Sequence, residues 1–267
     1  MSSLLVRPHA PDDQGIVLDI TPESAGWEHV GFRLHKLSPG QTIEAHTGGR
    51  EHCLVLVSGR ATVSCGDHQW ENIGERMDVF EKVPPYAVYL PDGVSYHVEA
   101  TTELELAVCS APGQGNHEPR LISPEQIKRS TRGVGSNTRH IQDVLPETEP
   151  ADSLLVVEVY TPAGNWSSYP PHKHDQDNLP HESRLEETYY HRVSPSQGFA
   201  FQRVYTDDRS LDESMAVDDG NVVLVPYGYH PAGVPHGYEL YYLNVMAGPK
   251  RVWKFNNDPD HQWLLET

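Results

Sequence analysis

Residues 223–249 read VLVPYGYHPAGVPHGYELYYLNVMAGP, and residues 88–113 read VYLPDGVSYHVEATTELELAVCSAPG. Both open on a short apolar run and turn at Pro-x-Gly, at Pro226-Tyr227-Gly228 in one and Pro91-Asp92-Gly93 in the other. Both then pass a histidine and a polar stretch, enter a segment containing Glu-Leu, and stop at Pro and Gly. Short β-branched or aromatic runs set between turn residues are strands, and the recurrence of the whole succession marks two copies of one β-unit. A histidine-containing turn and a hairpin precede each copy, over residues 46–63 and 172–205.

The rest of the chain has the same texture. Its 22 prolines and 21 glycines interrupt runs such as LLVVEVYTP and AFQRVYT every few residues. The expectation is an all-β protein of two tandem antiparallel, jelly-roll type barrels. The N-terminal barrel would cover residues 1–115, a linker 116–150 and the C-terminal barrel 151–267. Within the linker, PEQIKRSTR over 124–132 reads as a short helix, with Ser123 as N-cap and Pro124 at the first position.

Composition narrows the partners. The 38 acidic residues against 20 basic ones give a formal charge of −18, which argues against nucleic acid and anionic membrane surfaces. No apolar run approaches the roughly 18 residues of a spanning helix, and Arg7, Pro8 and Pro11 break any signal-like start, so the cytoplasm is expected. Cys53, Cys65 and Cys109 form no CxxC pair and sit in apolar stretches, as buried thiols do.

Pro170-Pro171-His172-Lys173-His174 sets two imidazoles at i and i+2. On an extended segment both point to one face and reach one ion, and the prolines favour that geometry. A carboxylate from the LEETYY segment is the third ligand. Glu187 is preferred to Glu186 because it stands two before Tyr189, while Glu182 in the polar stretch 175–183 is expected to face solvent. His230 follows the apolar strand and its turn, which would fix its backbone; His236, also after a Pro-x-Gly, competes with it. Such a donor set takes one divalent transition metal per chain, zinc first, with Mn, Fe, Co or Ni as alternatives. In the first copy His46, Glu51 and His97 have no HxH pair, and packing or surface roles are expected there.

HxH, a carboxylate and a later PxGx(x)H resemble the two cupin motifs. The strings YPPHKHD, LEETYYHRV, FQRVYTDDRSLDE, VVLVPYGYHP and YYLNVMAGP, with RGVGSNTRHI and DPDHQW, resemble the 5-deoxy-glucuronate isomerase family of bacterial myo-inositol catabolism, a relative of 5-keto-4-deoxyuronate isomerase. The resemblance runs over nearly the whole chain. It implies a bicupin with the metal in the C-terminal barrel on His172, His174, Glu187 and His230. This chain departs from the usual cupin pattern at two points: the 12 residues between His174 and Glu187, taken as a loop insertion, and a shorter turn before His230.

The implied reaction converts 5-deoxy-D-glucuronate to 5-dehydro-2-deoxy-D-gluconate, exchanging oxidation level between C1 and C2. A proton must move between those carbons, or a hydride must shift. Candidates for the proton-moving group are Tyr189, Glu186, Tyr227 and His236, with Tyr189 favoured because it and His191 share the face of Glu187. Arg203, on the alternating Phe199, Phe201, Arg203, Tyr205 face, is the expected clamp for the substrate carboxylate. Rival readings are a cupin dioxygenase and a non-catalytic sugar-binding bicupin. Self-association into a homo-oligomer is compatible with exposed β-sheets.

Overall fold

The computed structural model describes residues 2–265. Strands dominate; the helical elements among the described residues are the four-residue α-helix Pro22–Ala25 and short 3-10 segments. Two compact units divide the chain in an interleaved way. One takes Pro8–Lys128 and Gln142–Val157; the other takes the chain up to Arg7, Arg129–Ile141, and everything from Glu158 onward.

In the first unit an antiparallel six-stranded sheet runs in the order Arg120–Ile122, Ala87–Leu90, Arg50–Ser58, Leu104–Pro112, Gly31–Leu37, Ile16–Ile20. A four-stranded sheet runs Thr42–His46, Ser95–Ala100, Ala61–Cys65, His68–Ile73. Alternation in each strand turns one face inward. Leu54, Leu56, Leu106 and Val108 from the larger sheet meet Val63, Tyr96 and Val98 from the smaller in a common core. Each such side chain contributes about 1.5–3 kcal/mol on burial. The hairpin at Gly59 admits no other residue: its φ is +93° and a Cβ would lie 2.1 Å from the Glu103 carbonyl oxygen.

Glu51 has a structural task in this unit. Its buried carboxylate accepts the Tyr89 hydroxyl at 2.6 Å and the backbone N–H groups of Asp152, Ser153 and Leu154 at 2.8, 2.6 and 2.5 Å. Those bonds satisfy it and anchor residues 152–154. The three cysteines are free and buried.

In the second unit Leu5–Val6, Val222–Val225, Glu186–Ser194 and Glu239–Ala247 are neighbours in one sheet, all antiparallel. Trp166–Ser167, Ala232–Gly233, Phe199–Tyr205 and Asp212–Asp218 form another. His172–Lys173 pairs with Asn256–Asn257 near the chain's end.

Two local expectations are corrected. Residues 124–132 are not a helix: Pro124–Gln126 is one 3-10 turn and Lys128–Arg132 a strand. The Gln126 side chain takes the Ser123 N–H at 2.8 Å, closing the turn, and Ile127 then leaves in extended geometry to be buried. Residues 175–183 are not an irregular loop either. Asp175–Asn178 pairs with Glu182–Arg184, and Glu182 is buried. Its carboxylate accepts the Asp175 and Gln176 N–H groups and lies 3.5 Å from Lys173 Nζ, so a charge read as solvent-facing is held by paired donors.

Candidate metal centre

Strand Glu186–Ser194 builds the floor of the site. Alternation sends Glu187, Tyr189 and His191 to one face. Antiparallel pairing sets Met246, Asn244 and Tyr242 opposite them. Val225 and Val223, also paired with Glu187 and Tyr189, flank the site on the other side.

Two segments bring histidines to the Glu187 carboxylate. His174 Nε2 lies 3.1 Å from Glu187 Oε2 and His230 Nε2 lies 3.3 Å from the same oxygen. One nitrogen from each histidine and a carboxylate oxygen fall within 4.8 Å of one another, all from buried residues. The His172 ring packs edge-on to His230, centroids 4.9 Å apart, and lies 4.6 Å from the Phe255 ring on its other side.

Backbone carbonyls set the tautomers. His174 Nδ1 is 3.1 Å from the Leu185 oxygen and His230 Nδ1 is 2.8 Å from the Gly228 oxygen. A carbonyl accepts only, so each Nδ1 donates its N–H; on His230, neutral at neutral pH, this leaves the Nε2 lone pair, while His174 Nε2 stands within hydrogen-bond distance of the Glu187 carboxylate. His230 Nε2 is fully buried and has no hydrogen-bond partner. An orphaned lone pair aimed at a carboxylate and a second imidazole is costly unless a cation lies between them, and the two imidazoles and one carboxylate that converge here are donors for a divalent transition ion, with His172 beside them against His230 but outside that group. These residues fit such an ion.

Electrostatics agree. Burial, then the neighbouring His230 and His174, pushes His172 well below the usual imidazole range. Burial also pushes His230 down to about 4, with the Glu187 charge opposing. For His174 burial acts downward too, but the hydrogen bond and charge of Glu187 outweigh it and raise the value.

Around this cluster lies a wall of phenols. Tyr189 is buried, its ring 5.7 Å from His230 and 4.8 Å from Tyr242, and its hydroxyl is 2.9 Å from Ser168 Oγ. Tyr242 pairs with Ser167 Oγ at 2.5 Å. Ser168 has φ +51°, a strained value for a side-chain-bearing residue, and that turn directs its hydroxyl to Tyr189. Burial first, then the Glu187 charge, holds Tyr189 well above an ordinary phenol, so it is protonated at neutral pH. His191 is stacked on Tyr189 and bonded through Nε2 to Gln202 Oε1 at 2.9 Å.

The other sequence candidates lie elsewhere. Glu186 is buried, but alternation turns it to the opposite face of its strand from Glu187. Tyr227 is 49% exposed and His236 is exposed, so neither is drawn into the cluster. Arg203 is bound by Asp212 through Nε and Nη2, each at 2.7 Å, on the face of its strand opposite Gln202, the residue that meets His191 and the His230 carbonyl. Its guanidinium is already matched.

Arg139, which no sequence motif marks, also lies close to this wall. This half-buried residue donates to the Asn137 and Tyr169 carbonyls at 3.1 and 3.2 Å. Burial lowers its affinity for its proton, and the closeness of Tyr242 and Tyr189 opposes that. Ser167, Ser168 and Tyr242 were missed as well. The available signal was the serine pair just before the HxH segment, and the YYLNV run whose register meets that of LEETYYH.

The fold is that of the cupin-type β-proteins. An oxalate decarboxylase from Lactobacillus farciminis, 14% identical, superposes with a TM-score of 0.70 over 100% of this chain and 91% of that one, a likeness of fold alone. The chain belongs to the KduI/IolB family, which it matches over residues 4–264. A 5-deoxy-glucuronate isomerase of Geobacillus thermodenitrificans is 60% identical over 267 residues, covering 100% of this chain and 97% of that protein. The Bacillus licheniformis protein of the same name is 51% identical over the full length of both. The crystal structure of an IolB-like protein from Salmonella typhimurium LT2 is 52% identical with a TM-score of 0.96, over 98% of this chain and 99% of that one. No helix among the described residues is long and apolar enough to cross a membrane.

Proposed function

We propose that this chain is a metal-dependent aldose–ketose isomerase that converts 5-deoxy-D-glucuronate to 5-dehydro-2-deoxy-D-gluconate, an intramolecular oxidoreductase of myo-inositol degradation. The carrying observation is the convergence of the His174 and His230 Nε2 atoms on Glu187 Oε2, with both Nδ1 atoms tied to backbone carbonyls. Full-length relatives at 51–60% identity that carry the isomerase name support the substrate.

In this reading His172, His174, Glu187 and His230 hold one divalent ion, zinc first among the first-row candidates. When bound, such an ion would polarise a carbonyl and stabilise negative charge developing on oxygen. Tyr189, protonated at neutral pH, hydrogen-bonds an oxygen at the reacting carbons and supplies or returns a proton there, with Ser168 orienting its hydroxyl. Tyr242 and Phe255 keep water from the intermediate. Arg139, rather than Arg203, receives the substrate's terminal carboxylate, because Arg203 is matched by Asp212. Three reduced, buried thiols suit a cytoplasmic setting. A homo-oligomer would use the exposed Phe199 and Phe201 face.

The test is incubation of the metal-loaded protein with 5-deoxy-D-glucuronate under nitrogen, followed by proton NMR in D₂O. The reading expects the ketose without oxygen. Strict dependence on oxygen, or an unchanged substrate, would sink it.

A further inference from the structure

Strand Phe199–Tyr205 turns Phe201 outward and Gln202 inward, where Gln202 is buried. The strand runs beside the stretch that carries His230. The Arg203 N–H donates to the Pro231 carbonyl at 3.1 Å, and Tyr205 and Tyr229 exchange backbone bonds at 2.9 and 2.8 Å. Gln202 thereby faces the peptide group of His230 itself. Its Nε2 donates to the His230 carbonyl at 3.3 Å, and its Oε1 lies 2.9 Å from His191 Nε2.

Donor and acceptor rules fix both side chains. A backbone carbonyl only accepts, so the Gln202 atom that meets His230 is its amide nitrogen. The amide oxygen then faces His191, and it too only accepts. His191 therefore carries a proton on Nε2, and burial, which drives this imidazole down to about 4, keeps it neutral at neutral pH. Reversing the amide would set two oxygens against each other at His230.

His191 is itself held firmly. Its N–H bonds to the Asn221 carbonyl at 2.9 Å, and its carbonyl accepts the Gly220 N–H at 2.8 Å. Its ring stacks on Tyr189, with centroids 5.8 Å apart and planes at 20°, and meets the Tyr242 ring edge-on at 5.9 Å. Tyr189 in turn lies 5.7 Å from the His230 ring, so Tyr189, His191, Gln202 and His230 close a loop of contacts.

We propose that Gln202, locked in one orientation by His191, is a positioning residue that aims the His230 imidazole, a role that rests on His230 being a metal ligand. The Gly228 carbonyl holds the His230 ring at Nδ1, and Gln202 holds the peptide from which that ring projects. Two bonds at one residue limit its freedom before an ion arrives, so less ordering entropy is lost on binding.

Chelator competition on the wild type, Q202M, H191F and the double variant tests this. Methionine keeps the length of glutamine and removes both hydrogen bonds. Q202M should bind metal about 10–100-fold more weakly, as loss of a group that orients a ligand does. H191F unlocks the amide and should weaken binding by a smaller factor. The double variant should bind no more weakly than Q202M, because both changes act through one chain of contacts. In the metal-free wild type, NMR of the imidazole nitrogens should show His191 protonated at Nε2, and Q202M should lose that slowly exchanging N–H. Circular dichroism of the metal-free proteins checks the fold. Wild-type affinity in folded Q202M, additive losses in the double variant, or an Nδ1–H tautomer in the wild type would overturn the proposal. A wild type that binds no metal would instead overturn the ligand assignment, with the His191 tautomer unaffected.

Discussion

The Asp175 carboxylate accepts the backbone N–H of Gly228 at 2.9 Å. Its other oxygen takes Lys173 Nζ at 2.7 Å, so one half-buried side chain ties the segment carrying His172 and His174 to the turn that holds His230. The Gly228 carbonyl in turn accepts His230 Nδ1–H. The turn itself requires glycine: φ is +91° and a Cβ would lie 2.5 Å from the Tyr205 carbonyl oxygen. D175A should therefore lower metal affinity by about 10–100-fold, as loss of a group that orients a ligand does. Competition against a chromogenic chelator measures this. Unchanged affinity in a folded D175A would show that the tether plays no part in holding the donors.

Glu187 and Glu186 separate cleanly by substitution. E187Q removes the carboxylate that His174 and His230 both approach, and should leave less than about a tenth of the bound metal after dialysis. E186Q changes a residue on the other face and should retain a full equivalent. Elemental analysis of both purified variants decides it, and metal loss confined to E186Q would reverse the assignment.

Much of this centre is legible in the sequence because it depends on local periodicity. The i, i+2 spacing of His172 and His174 and the common face of Glu187, Tyr189 and His191 follow from strand geometry alone. What was not legible depends on register between distant strands. Nothing local says that Tyr242 stands opposite His191, or that Ser168 reaches Tyr189. Arg139 lay in a segment read as linker, although its strand, Arg139–Leu145, begins at the site. Glu182 looked solvated because its neighbours are polar, whereas the buried charge of Lys173 and two backbone N–H groups compensate it. The helix expected over 124–132 failed for a related reason, since burial of Ile127 outweighs weak helical propensity.

Arg139 and Arg203 make opposite predictions for substrate binding. R139M should raise KM about tenfold or more with metal content intact, because a charged hydrogen bond to a carboxylate contributes about 1.5–3 kcal/mol. R203A breaks a half-exposed pair with Asp212 and should leave KM within about twofold. Steady-state kinetics with both variants checks this, and a KM effect from R203A alone would move the carboxylate site.

Tyr189 should show a different signature. Y189F retains the ring contacts with His230 and Tyr242 but removes the hydroxyl held by Ser168. A fall in kcat of about 10²-fold or more is expected, with metal content unchanged. Equal loss of kcat and metal would mean that the residue is structural.

His191 links acidity to stability. Its folded-state value is lowered to about 4, chiefly by burial, whereas an unfolded imidazole titrates near its ordinary value of 6.5. Between those limits the unfolded chain binds the extra proton. Its contribution is therefore complete above about pH 6.5 and is lost as pH falls toward 4, by about 3 kcal/mol. Urea unfolding at pH 7 and pH 5 should show the wild type losing more stability than H191Q over that interval. Parallel curves would remove His191 from the account.

Anomalous diffraction from crystals of the metal-loaded protein tests the centre most directly. The account predicts one ion per chain, its nearest protein atoms supplied by His172, His174, Glu187 and His230. An ion held instead near His46 and His97, or by Glu186 without Glu187, would contradict it.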